Sequence, residues 1–175
     1  MNEMFNVRRV WSHEDSRSFS EIFCNPGYLQ FGILSRHTSP TYTFRSVLDG
    51  LNRDDQAYYI GSLGGADVLA LQLSHVDRHN ASAEIHLAST PPVWGSGLLA
   101  PIGRRMMALF FDELMLHRVY GFTPDWNERL IKTVQLAGAR VEGRIRKGWY
   151  SDGRWHTTCV IGLLAHEAIY HGRRG

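Results

Sequence analysis

The chain is poor in the features that narrow a function quickly. It has two cysteines, Cys24 and Cys159, in 175 residues. Their spacing fits no metal or redox motif, so both are read as reduced thiols rather than a disulfide or zinc ligands. His13, His37, His75 and His79 lack a trusted ligand spacing, and no metal is expected. No apolar run approaches the roughly 20 residues of a membrane helix. The segment from Met1 to Trp11 carries charges where a secretory leader needs an apolar stretch. The expectation is a cytoplasmic protein with no membrane partner. Charge of one sign is also lacking: the formal net charge is +2, too small to demand a nucleic-acid or membrane surface. Repeats and low-complexity stretches are missing. Lysine is scarce, with Lys132 and Lys147 the lysines among 19 basic residues. Arginine suits bidentate phosphate contacts, although a coding bias gives the same composition.

What is present is an ordinary globular composition, 43% hydrophobic and 21% charged. It predicts one domain over residues 1–175 with a sizeable core. Residues 5–10 read as a strand. Ser12 is a candidate N-cap for a helix with an apolar stripe of Phe19, Ile22 and Phe23, ended by Asn25-Pro26-Gly27. Ser39-Pro40 opens a second helix, with Phe44, Val47, Leu48 and Leu51 at helical spacing. Residues 57–63, 68–76 and 81–89 read as strands from their period-two alternation. Residues 98–116 read as one long apolar helix and 117–123 as a strand. Asp125 and Glu128 resemble a capping box for a further helix, with Gly138 as its stop. Asp152-Gly153 predicts a two-residue hairpin turn. The order β-α-α-β-β-β-α-β-α-β-β predicts a mixed α/β fold with a mostly antiparallel sheet of about seven strands and about four helices.

The segment Trp94-Gly95-Ser96-Gly97-Leu98-Leu99 lies between a strand and the long helix. Its glycines let backbone approach a ligand closely. Unpaired amides of the loop and first helical turn, with the helix dipole, suit a pyrophosphate; an ordinary flexible loop has the same composition. The ordered set Ala83-Glu84-Ile85-His86, Pro91, Gly95-Ser96-Gly97, a long helix and His117-Arg118-Val119 resembles the GNAT acyltransferase superfamily. Pro124-Asp125-Trp126-Asn127 and Glu142-Gly143-Arg144 leading to Asp152-Gly153-Arg154-Trp155-His156 extend the likeness. The branch most resembled contains the ribosomal-protein N-terminal acetyltransferases.

That resemblance implies acetyl-CoA as co-substrate, with Trp94, Gly95, Ser96, Gly97, Leu98 and Leu99 around the pyrophosphate. It implies that Leu87, Ala88 and Ser89 contact the pantetheine arm and that Asn127 sits beside the cofactor. Arg104 and Arg105, in the second helical turn, are placed to reach phosphate oxygens or simply face solvent. Three positions depart from the pattern. Trp94 replaces an arginine or glutamine, Leu99 a glycine or alanine, and Leu130 a serine that could orient a water or the leaving thiol.

An amine attacks a thioester only when neutral, so the site needs a base. Glu84 and His86 are two apart on a strand and share a face, which makes them the candidate base or proton relay; a surface carboxylate and a satisfied sheet histidine is the alternative. Trp149 and Tyr150 are candidates for the acceptor pocket, with Tyr150 a candidate acid; aromatic packing beside the turn is the alternative. The implied activity is acetyl transfer from acetyl-CoA to a primary amine. A protein N-terminus is the acceptor the resemblance favours; a small amine, aminosugar or modified nucleobase stays open. The alternatives are a catalytically weakened binding or CoA-sensing module, and an acyltransferase acting on nucleic acid near Arg144, Arg146 and Lys147. A monomer or homodimer is expected.

Overall fold

The computed structural model describes residues 5–25, 39–93 and 99–169. Elements follow the expected order: β1 (Phe5–Arg9), α1 (His13–Phe23), α2 (Pro40–Gly50), β2 (Ala57–Leu63), β3 (Ala66–Asp77), β4 (Ser82–Ser89), α3 (Leu99–Ala108), β5 (Arg118–Pro124), α4 (Glu128–Leu136), β6 (Arg140–Ser151) and β7 (Arg154–Leu164). Ser12 caps α1 by accepting from the Asp15 amide, and Ser39 caps α2 by accepting from the Tyr42 amide. Both satisfy donors that a helix start leaves unpaired.

The seven strands form one sheet in the order β1-β2-β3-β4-β5-β7-β6. Every neighbouring pair is antiparallel except β4 and β5, which are parallel. Period-two alternation divides the core between the two faces. Leu69, Leu71, Leu73, Ala83 and Val119 pack with Ile102, Met106 and Phe110 on the α3 face. Ile60, Ala70 and Ala88 pack with Phe19, Ile22 and Val47 on the face carrying α1 and α2.

Two local expectations are corrected. The long helix is α-helical only through Ala108 and continues as a π-helical turn over Leu109–Glu113. The wider turn lets the consecutive Leu109, Phe110 and Phe111 all bury, at 4%, 1% and 0% exposure, which a regular helical stripe does not permit. At α4 the N-cap is Asn127, not Asp125, and it makes no side-chain cap. Asn127 Nδ2 is drawn inward to donate to Thr123 Oγ1 at 3.1 Å. Gly138 does end α4: its φ is +100°, and a Cβ there would lie 2.1 Å from the Glu167 carbonyl oxygen. The β6–β7 hairpin turns at Asp152 and Gly153, with φ of 50° and 77°.

Candidate active site

The parallel pairing of β4 and β5 is short. It runs from Ser82↔Arg118 to Glu84↔Tyr120. Beyond that point β4 stays with β3 as far as Ser89, and β5 stays with β7 as far as Pro124. The sheet therefore forks. Gly121 stands at the fork, where an added Cβ would lie 3.1 Å from the Ile85 carbonyl oxygen. A side chain there would press on β4 backbone at the point where the strands part.

The fork opens into a cavity of about 210 Å³. Its walls include Leu87 and Ser89 from β4, Gly121 and Thr123 from β5, and Leu130 and Thr133 from α4. The lining is mostly aliphatic, with hydroxyls at Ser89, Thr123 and Thr133. Such a slot suits a flexible, largely apolar arm with a few polar groups. Leu130, which stands where the resembled family has a serine, is in its wall.

The opposite face of β4 carries a polar cluster. Glu84 is 8% exposed. Its Oε2 accepts from His75 Nδ1 at 3.0 Å, and its Oε1 lies 3.3 Å from His86 Nε2. His86 Nε2 also lies 2.8 Å from Ser74 Oγ. Burial pushes the His86 imidazole below its ordinary value; the Glu84 carboxylate opposes that shift and His75 adds to it. His86 is thus held neutral and able to accept a proton at neutral pH. Tyr120 pairs with Glu84 across the fork and lines the cavity. Burial, with a contribution from Glu84, raises its phenol above the usual range. The Arg118 guanidinium, bonded to Glu142, lies 5.6 Å from the Tyr120 ring.

A β-bulge builds this cluster. Ser74 pairs with Glu84, but the next registered pair is Asp77 with Ser82. His75 and Val76 together oppose one residue, Ala83. The extra residue bends the strand, with His75 at φ 49°, and lets consecutive Ser74 and His75 both reach the β4 side chains. Strict alternation would place them on opposite faces. Ser74, His75 and Tyr120 were therefore not legible as site residues.

The other expected residues are distributed unevenly. Leu87 and Ser89 face the cavity, while Ala88 turns into the α1/α2 core. Asn127 is buried and reaches the cavity wall through its bond to Thr123. Arg104 is exposed on α3, and Arg105 pairs with Glu113. Trp149 is half-buried opposite His156; Tyr150 is exposed at the hairpin tip, its ring 5.0 Å from that of Trp155. Neither lines the cavity. Trp94, Gly95, Ser96, Gly97 and Leu98 lie outside the described residues, as does the side chain of Leu99. Among the described residues, no group of three or more His, Cys, Asp or Glu is arranged to hold a metal, and no helix is long and apolar enough to cross a membrane.

The likeness to solved structures is decisive for the fold. The spermidine N-acetyltransferase of Vibrio cholerae, in complex with CoA and spermine, superposes with a TM-score of 0.81 at 16% identity, over 93% of this chain and 96% of that one. The chain has the GNAT N-acetyltransferase fold. A chimera of the Vibrio cholerae enzyme SpeG with hSSAT gives a TM-score of 0.81 at 15% identity, over 93% of this chain and 96% of that one. In sequence, YdaF of Bacillus subtilis (strain 168), whose name gives it provisionally as a ribosomal N-acetyltransferase, is 30% identical over 109 residues. That match spans 62% of this GNAT-fold chain and 57% of YdaF. No protein-family profile matches the chain.

Proposed function

We propose that the chain is an N-acetyltransferase that holds acetyl-CoA in the β4–β5 fork and passes its acetyl group to a primary amine. The observation that carries this reading is the fork itself. It offers an aliphatic slot for the pantetheine arm, and Glu84, on the opposite face of β4, stands at the last β4–β5 pair before the strands part. The GNAT fold, the neighbour bound to CoA and the relative named as an acetyltransferase support it.

In this reading Leu87, Ser89 and Thr123 hold the pantetheine arm, and Asn127 positions Thr123. Among the described residues no strand pairs with the β5-facing edge of β4 beyond Glu84. An amide on that edge is available to stabilise the oxygen of the tetrahedral intermediate. The acceptor arrives as an ammonium and gives one proton to the Glu84–His86 pair, directly or through water. The neutral amine attacks the thioester carbon. As the intermediate collapses, the C–S bond breaks and the amine's second proton goes to the thiolate. Tyr120, whose phenol stays protonated at the fork, is better placed to relay that second proton than Tyr150 at the hairpin tip.

For the acceptor, the names of the relatives support two candidates, a polyamine and a protein N-terminus. A second reading, a CoA-binding module without turnover, draws on Leu130, which puts methyl groups in the wall where the family has a hydroxyl. The test is incubation of the protein with acetyl-CoA and a panel holding spermidine, spermine and peptides with free N-termini, followed by mass spectrometry. Gain of one acetyl group on an amine is expected. Acetyl-CoA binding without acetylation would favour the second reading, and neither binding nor acetylation would end both.

A further inference from the structure

We propose that His75 is the proton port of the site: it takes from Glu84 the proton that leaves the acceptor and releases it to solvent. This rests on the acetyltransferase reading and adds a residue to it. The chemistry requires such an exit. An ammonium has three N–H bonds and the product amide has one. One of the two lost protons stays on the CoA thiol. The other goes first to the Glu84–His86 pair, and the pair must shed it before the next turnover.

Glu84 and His86 have little direct access to water, with side-chain exposures of 11% and 14%. His75 is 71% exposed, yet its Nδ1 is 3.0 Å from Glu84 Oε2. One ring thus touches the buried carboxylate with one edge and bulk solvent with the rest. The bulge is what places it there. It holds a histidine at φ 49°, a conformation that costs of order 1 kcal/mol for a residue with a Cβ. A bulge of this kind re-aims a side chain, and here the re-aimed side chain is an imidazole, whose two ring nitrogens can take a proton on one edge and give it up on the other. Ser74 Oγ, 3.3 Å from His75 Nδ1 and 2.8 Å from His86 Nε2, bridges the two rings. The groups that bear on His75 are Glu84 and His86 from β4 and Asp55 from the segment before β2. Asp55 is itself bonded in two prongs to Arg53.

His75 does not touch the reacting atoms, so it is a positioning and relay residue rather than a catalytic one. The test uses His75→Asn and His75→Ala on the full chain, with acetyl-CoA and the best amine of the panel. Asn tolerates the left-handed backbone and keeps a donor for Glu84, but it cannot carry a proton away. Both variants are expected to lose about tenfold in kcat, with the KM for acetyl-CoA unchanged. Turnover of His75→Ala should rise with the concentration of added imidazole, while that of the unaltered protein stays flat. Variants as fast as the unaltered protein would overturn the relay. So would slow variants indifferent to imidazole, or His75→Asn restored to full rate, since both mark a structural role. Absence of any acetylation by the unaltered protein would instead overturn the acetyltransferase reading, and the relay with it.

Discussion

The two faces of β4 are built for opposite tasks. On one face Ala83, Ile85 and Leu87 meet the α3-side core, and Leu87 and Ser89 wall the cavity. On the other, Glu84 and His86 meet Ser74 and His75. One strand therefore carries a mostly aliphatic slot on one face and a buried polar cluster on the other; in the proposed reaction the first grips an inert arm and the second moves a proton. The separation follows from period-two alternation. The strands part after Glu84 and Tyr120, which in the proposed reaction lets an acyl group held in the slot meet the polar face. A substitution on one face should spare the work of the other.

The largest effect is expected from blocking the slot. Thr133, on α4, is half-buried and lines the cavity. Thr133→Trp should weaken acetyl-CoA binding by at least about 100-fold, or about 2.7 kcal/mol by calorimetry, with the far-ultraviolet dichroism unchanged. Next is the polar face. Glu84→Gln should lower kcat by about 100-fold and leave the calorimetric affinity for acetyl-CoA within a factor of about two. If it lost affinity in step with kcat, the two faces would not be separable.

A smaller effect concerns pH. His86 is held below its ordinary value by burial. The unfolded chain therefore binds a proton that the folded chain refuses in the window just below about pH 6.5. Stability should rise with pH across that window and fall as pH drops through it. Urea midpoints of the unaltered protein and of His86→Gln should converge above that window and separate below it, with the unaltered protein losing more.

The smallest effect lies away from both faces. Arg8 on β1 bonds Asp67 in two prongs, at 2.8 and 2.7 Å, and holds its carboxyl down to about 2. Arg8 is 41% exposed, so solvent screening limits Arg8→Ala to about 1 kcal/mol of lost stability near neutral pH. Asp67's folded value is depressed, so its contribution is present above its ordinary value near 3.8 and is lost as pH falls toward 2. The variant should show a weaker acid dependence there in thermal melts, with turnover unchanged.

Much of the fold was legible because its elements carry local signals. Ser12, Ser39, Gly138 and Asp152-Gly153 mark helix starts, a helix stop and a turn through backbone chemistry of their own, and the element order follows. The π-turn was not legible, because an apolar run from Leu109 to Phe111 reads as helix whatever its pitch. The capping box failed because Asn127 found a partner in Thr123, seen only after folding. Glu84 and His86 were legible as a pair on one strand face. Ser74 and His75 were not, because alternation separates them and only the pairing of β3 with β4 reveals the bulge.

The most direct test of the account is a thermal melt of the unaltered protein with and without acetyl-CoA. A ligand bound in the native fork must stabilise the fold. At a hundredfold excess over its Kd the transition should rise by about 5–10 °C for a domain of this size. An unchanged transition at millimolar acetyl-CoA would contradict the claim that the fork is its binding site.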